Sequence, residues 1–205
     1  MVFMLNGDMV LTIGDMSKAE QRDVGDDEYN TCFIDRLGLP QGNFRAQRDD
    51  FGEGKVFRIS AEALVKTSPH PVNPSKAFLD NGVDYIVIGK GFRNPFRAAM
   101  SPITGDVVVA DVGLDTAESI KVITDQEGGT QNGKVPNYGW PCIEGDSWIP
   151  PFTSSWLVEQ ESSICDATRG TVKGLPEDID YIALKEQALK GKVDWVPPAF
   201  TYNSG

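Results

Sequence analysis

The chain has 205 residues, of which 40% are hydrophobic and 24% charged, and its formal net charge is −11. That length and composition suit a folded protein with a real core, one large domain or two small ones, and argue against a disordered chain. The acidic balance argues against nucleic acid or an anionic membrane as the main partner, since both bind a basic face, and no apolar stretch approaches the length that crosses a bilayer.

The chain opens on "MVFMLNGDMV", without the basic and long apolar regions of a signal peptide. Its first residues already read as strand. In "NGDMVLTIGDMS" the turn pair Gly7-Asp8 precedes Val10 and Thr12, which suit a half-buried strand. Residues 18–50 are polar and irregular. A second strand is predicted in "GEGKVFRIS" at Val56, Phe57 and Ile59, followed by one short helical turn in "AEALVK". Residues 67–82 read as a Pro/Asn-rich loop. This loop holds the only histidine, His70, between Pro69 and Pro71, where it reads as an ordinary loop residue. Further strands are predicted at 84–89, 96–102, the second arm of the hairpin 103–113, and 118–124. Residues 146–192 read as an irregular insertion with one short helix around 178–190, after which "VDWVPPAFTYNSG" returns to strand character.

One short phrase occurs twice. "GDMVLTIGD" opens at Gly7 and "GDVVVADVG" at Gly105, 98 residues on. Each puts a Gly-Asp turn ahead of a β-branched run, and each is followed, beyond an acidic loop, by a strand of K-V-x-R-I or S-I-K-V-I type. In the first half that loop is enlarged to about forty residues. A spacing of 98 suits two units of about 49 residues, near the blade length of a β-propeller. The plainer alternative is a pair of similar hairpins in a β-sandwich. Six such blades need roughly 300 residues, so the expectation is an all-β fold forming an incomplete ring of about three to four blades, a single domain over 1–205.

At "GKGFRNPFRAAMSPITGDVVVADVGLDTAESIKVI" followed by "PNYGWPCIEG", the sequence resembles the glucose/sorbosone dehydrogenase family. "TIGD", "GKVFRI", "GFRNPFR", "TGDVVVADVG", "NYGWP" and "PAFTYNSG" occur in the family's order. The resemblance implies a six-bladed β-propeller of the quinoprotein type, using pyrroloquinoline quinone (PQQ) and Ca2+ to oxidise the anomeric hydroxyl of a sugar. PQQ is a flat tricarboxylate, for which guanidinium groups are natural partners. Arg93 and Asn94 match the family's quinone contacts, and Gly113 and Leu114 match the positions whose carbonyls hold the calcium. Leu114 stands where many relatives have proline, and Ser119 where they have glutamate. Tyr138 and Trp140 of "NYGWPC" read as packing residues around a turn.

The family's histidine base precedes the strand that ends in "TIGD" and has no counterpart here, so no catalytic residue is assigned and the chain is expected to be an internal fragment of such a propeller or a degenerate relative, inactive alone. The resemblance implies a sugar as partner and a periplasmic or secreted parent. There a Cys142–Cys165 disulfide is expected to close the irregular excursion, with Cys32 left free; none of the three cysteines has CxxC spacing. Two rival functions follow from the same match: a non-catalytic propeller that binds a protein, as the hedgehog-interacting relatives do, and a calcium-binding structural module.

Overall fold

The computed structural model describes residues 1–16, 42–47, 52–66, 85–114, 117–124, 135–148 and 195–203. His70, Cys32, Cys165, the helix expected at 178–190 and nearly all of the expected insertion lie outside the described residues. Among the described residues the fold is mostly β, with two four-stranded antiparallel sheets, few helices and no closed barrel. The first sheet is a meander of β1 (Val2–Phe3), β2 (Met9–Ile13), β3 (Lys55–Ile59) and β4 (Tyr85–Lys90). The second runs β5 (Pro95–Met100), β6 (Val107–Asp111), β7 (Ala117–Ile123) and then β10 (Phe200–Asn203). A small hairpin, β8 (Ile143–Glu144) and β9 (Ser147–Trp148), stands apart. Pro95 opens β5, an edge strand, where the missing N–H costs no ladder bond.

The repeated phrase occupies the same place in each sheet. β2 and β6 are both second strands, and their five-residue registers with the third strand correspond: Met9 opposite Ile59 through Ile13 opposite Lys55, and Val107 opposite Ile123 through Asp111 opposite Ser119. The turns before them are built alike. Gly7 and Gly105 have φ of 87° and 77°, a left-handed conformation that glycine adopts without a Cβ penalty. In the first turn, Met4 N–H donates to Asp8 O and Gly7 N–H to Met4 O; in the second, Ser101 N–H donates to Asp106 O and Gly105 N–H to Ser101 O. The second loop is one residue longer. A polar side chain two residues before each aspartate also bonds it: Asn6 to Asp8 at 2.9 Å and Thr104 to Asp106 at 2.6 Å. The turn and the central strand pair of each four-stranded sheet therefore correspond in register and in turn chemistry.

Alternation along these strands builds the core. In β7 every second residue is buried, namely Ala117, Ser119, Lys121 and Ile123. Val10, Val56 and Ile88 of the first sheet meet Val107, Val109 and Ile123 of the second, with Phe92 and Tyr138, in one apolar cluster. β1 and β2 pack against β5, so the cluster joins the two sheets. As expected for packing residues, Tyr138 lies against Phe92 (ring centroids 4.7 Å apart) and Trp140 is fully buried.

Two short helices complete the description. α1 (Ala61–Lys66) follows Ser60, whose hydroxyl accepts from Ala63 N–H as an N-cap. A 3-10 helix at Gly42–Gln47 lies in the stretch that the sequence marks as irregular. It is held from outside itself: Lys55 Nζ donates to Arg45 O and Ala46 O at 2.9 Å and to Glu53 O at 2.8 Å, so a charged donor satisfies carbonyls that a short helix leaves open.

Candidate functional site

Polar groups gather where β2 ends, β5 begins and β6 runs into its loop. The alternation that buries Val107 and Val109 also buries Asp111, and that of Ile123 also buries Lys121. Each is 3–4% exposed, and the two meet, with Lys121 Nζ 2.5 Å from Asp111 Oδ2. Asp111 further accepts from the backbone N–H of Asn94 at 2.8 Å and of Arg93 at 3.3 Å. Lys121 Nζ lies 5.0 Å from the Phe92 ring centroid, within cation–π range. A buried carboxylate and its ammonium thus fix the backbone of the Arg93-Asn94 turn, whose other bonds are Asp15 N–H to Arg93 O and Val112 N–H to Asn94 O.

Arg93 reciprocates. Its Nη1 donates to Gly113 O at 2.5 Å and to Val112 O at 3.2 Å, and its guanidinium carbon is 5.8 Å from the Trp140 ring centroid. Its Nε is buried without a hydrogen-bond partner. Asn94 is exposed beside it. The loop beyond β6 is bonded on its amide side too: Gly113 N–H donates to Glu118 Oε2 at 3.2 Å, and Leu114 N–H to the buried Glu144 Oε1 at 2.6 Å. Position 113 must be glycine, because a Cβ there would stand 2.0 Å from Ala117 O and 2.4 Å from Glu144 Oε1. The recess between Arg93, Asp111, Ser119, Lys121 and Glu144 has room for about one water.

The end of β2 is welded to the same region. Trp140 Nε1 donates to Asp15 Oδ2 at 2.7 Å. Arg45, from the 3-10 helix, donates to Asp15 O at 3.0 Å and to Met16 O at 3.1 Å. Met16 itself has a φ of 59°, unusual for a residue with a side chain, and projects to solvent. Gln47 donates to Trp140 O at 2.6 Å and exchanges side-chain hydrogen bonds with Asn137.

All four residues singled out for cofactor and metal, Arg93, Asn94, Gly113 and Leu114, come together at this end of the sheets. Cys142 lies next to it, fully buried and disulfide-bonded; its expected partner, Cys165, is outside the described residues. Sequence reasoning missed Asp111, Lys121, Arg45, Gln47 and Glu144. The first two carry a signal, since each interrupts a β-branched strand at an inward position. Among the described residues no cluster of three or more His, Cys, Asp or Glu is disposed to hold a metal.

The two implied groups fit these residues differently. A carboxylate of a quinone has a charge partner in Arg93, whose side chain is half-buried with Asn94 exposed alongside. A calcium ion at Gly113 does not fit this arrangement, because the carbonyl it would use already accepts from a guanidinium at 2.5 Å.

Fold and site define a mostly β protein with two four-stranded antiparallel sheets and a buried polar centre where they meet. Compared with known proteins, the chain matches no family model and no curated relative.

Proposed function

We propose that the chain is part of a PQQ-dependent sugar dehydrogenase of the glucose/sorbosone type, with its two sheets as blades of an incomplete propeller. The observation that carries this reading is the recurrence of one meander with matched registers and matched Gly-Asp turns, with the Arg93-Asn94 turn set between the two copies. Radial arrays repeat such units; a sandwich has no need to.

When bound, the quinone supplies the hydride acceptor for oxidation of the anomeric carbon of an aldose. The chain's own part is to bind and orient. Arg93 neutralises a cofactor carboxylate, Asn94 offers an amide at the same lip, and the Asp111–Lys121 pair holds both in place from beneath. The disulfide at Cys142 supports a periplasmic or secreted location, since such bonds persist in oxidising compartments.

The test is an equilibrium titration of the chain with PQQ alone, followed by tryptophan fluorescence, beside the variant Arg93→Ala. Saturable binding that weakens at least about tenfold in the variant, a change of about 1.4 kcal/mol, is the expected result. Absence of saturable binding, or equal binding by both proteins, overturns the reading. Aldose-dependent dye reduction by the quinone-loaded parent protein then identifies the sugar.

A further inference from the structure

The loop after β6 shows a cation in place, and that cation is Arg93. Nη1 sits on two consecutive carbonyls, Val112 O and Gly113 O. Carbonyl oxygens are ligands that a hard divalent ion prefers, and the carboxylates of Glu118 and Glu144 hold the amides on the opposite edges of the same two peptides. Among the described residues the protein supplies partners to Gly113 and the Leu114 amide: Arg93 from one side, Glu118 and Glu144 from the other. Two positive charges cannot share the Gly113 carbonyl at hydrogen-bonding distance without strong repulsion.

We propose that Arg93 is the built-in counter-cation of the Gly113 loop, so that this loop is ordered by a guanidinium and takes no calcium unless Arg93 is removed. The Nη1 edge of the side chain orders the loop, while Nε is buried without a hydrogen-bond partner. Removing the guanidinium frees the Val112 and Gly113 carbonyls at a recess that Asp111 and Glu144 also line, oxygen donors of the kind that calcium uses. The proposal goes beyond the dehydrogenase reading and needs neither quinone nor sugar.

The experiment measures thermal unfolding of wild type, Arg93→Gln and Arg93→Lys in millimolar calcium chloride and in excess chelator. Wild type and Arg93→Lys, which keeps a cation, are expected to melt at the same temperature in both. Arg93→Gln is expected to gain about 3 °C or more with calcium, through mass action on the folded state. Calcium stabilisation of wild type, or calcium indifference of Arg93→Gln, overturns the proposal. Should Arg93→Gln not fold, calorimetric titration of wild type with calcium chloride alone decides it: a silent titration supports the proposal and a saturable heat overturns it. Failure here leaves the PQQ titration unaffected, and failure of that titration leaves this result standing.

Discussion

The two sheets share a plan but place their ion pairs differently. In the first, Asp8 stands in the turn before β2 and meets Arg58 at 2.8 Å, with side chains 9% and 17% exposed. In the second, Asp111 closes β6 and meets Lys121 at 2.5 Å, both side chains 4% exposed. The first pair joins a hairpin to the start of α1, through Ala61 N–H on Asp8. The second supports the Arg93-Asn94 turn. One repeated scaffold thus carries a structural carboxylate at the rim of one sheet and a site-building carboxylate inside the other. The difference lies in where the pair stands: Asp8 is in a turn ahead of its strand, whereas Asp111 and Lys121 occupy inward strand positions and break the apolar alternation.

If burial sets the importance of the two pairs, removing their cations should have unequal effects. Lys121→Met strands the Asp111 carboxylate and is expected to cost about 3–5 kcal/mol, while Arg58→Ala is expected to cost about 1 kcal/mol, the upper end for a partly exposed pair. Urea denaturation of the two variants and wild type measures both. Equal losses would break the comparison.

The disulfide sharpens it, because Cys142 lies between Trp140 and Glu144 and so belongs to the site and not to the first sheet. Closing the loop from Cys142 to Cys165 is expected to contribute about 3 kcal/mol. Non-reducing peptide mapping should find that pair, with one reactive thiol per denatured, unreduced chain. A Cys32–Cys142 bridge would refute the assignment.

The smallest expected effect is on pH dependence, at Asp8. Burial alone would raise its pKa, but the Ala61 N–H, the Arg58 guanidinium and the Asn6 amide outweigh that and lower it from 3.8. A carboxylate with a depressed folded-state pKa contributes stability that is present above its unfolded value. That stability is lost as the pH falls through the folded value. Asp8→Asn should therefore be less stable than wild type at neutral pH, and the gap should begin to narrow below about pH 3.8 and close once the pH has fallen through the depressed folded value. A gap that persists unchanged in acid would show that the contribution does not come from ionisation.

The strands were legible because β-branched runs framed by Gly-Asp turns leave little freedom of assignment, and the echo between Gly7 and Gly105 foretold corresponding registers. Asp111 and Lys121 were legible in principle, as charged residues on the face of Val109 and Ile123. Arg45 and Gln47 were not. They stand in a polar stretch with the composition of a loop, and their partners lie 30 and 90 residues away, so only tertiary contact gives them a role. The Arg93 guanidinium was read as a ligand for a cofactor; in the structure its Nη1 bonds the carbonyls of its own chain at Val112 and Gly113.

The unequal connections between matched strands bear on chain entropy. Residues 112–116 link β6 to β7, and residues 14–54 link β2 to β3, yet the registers correspond. An eightfold longer connection is three doublings in length, which adds about 2 kcal/mol of closure entropy. Hydrogen bonds to charged donors are worth about 1.5–3 kcal/mol each, and within the long connection Arg45 supplies such bonds to Asp15 and Met16. Lys55, the first residue of β3, supplies others to Arg45, Ala46 and Glu53. The weld at the end of β2 therefore offsets the length of the connection, so that a forty-residue excursion sits in a repeat designed for five without disturbing the pairing on either side.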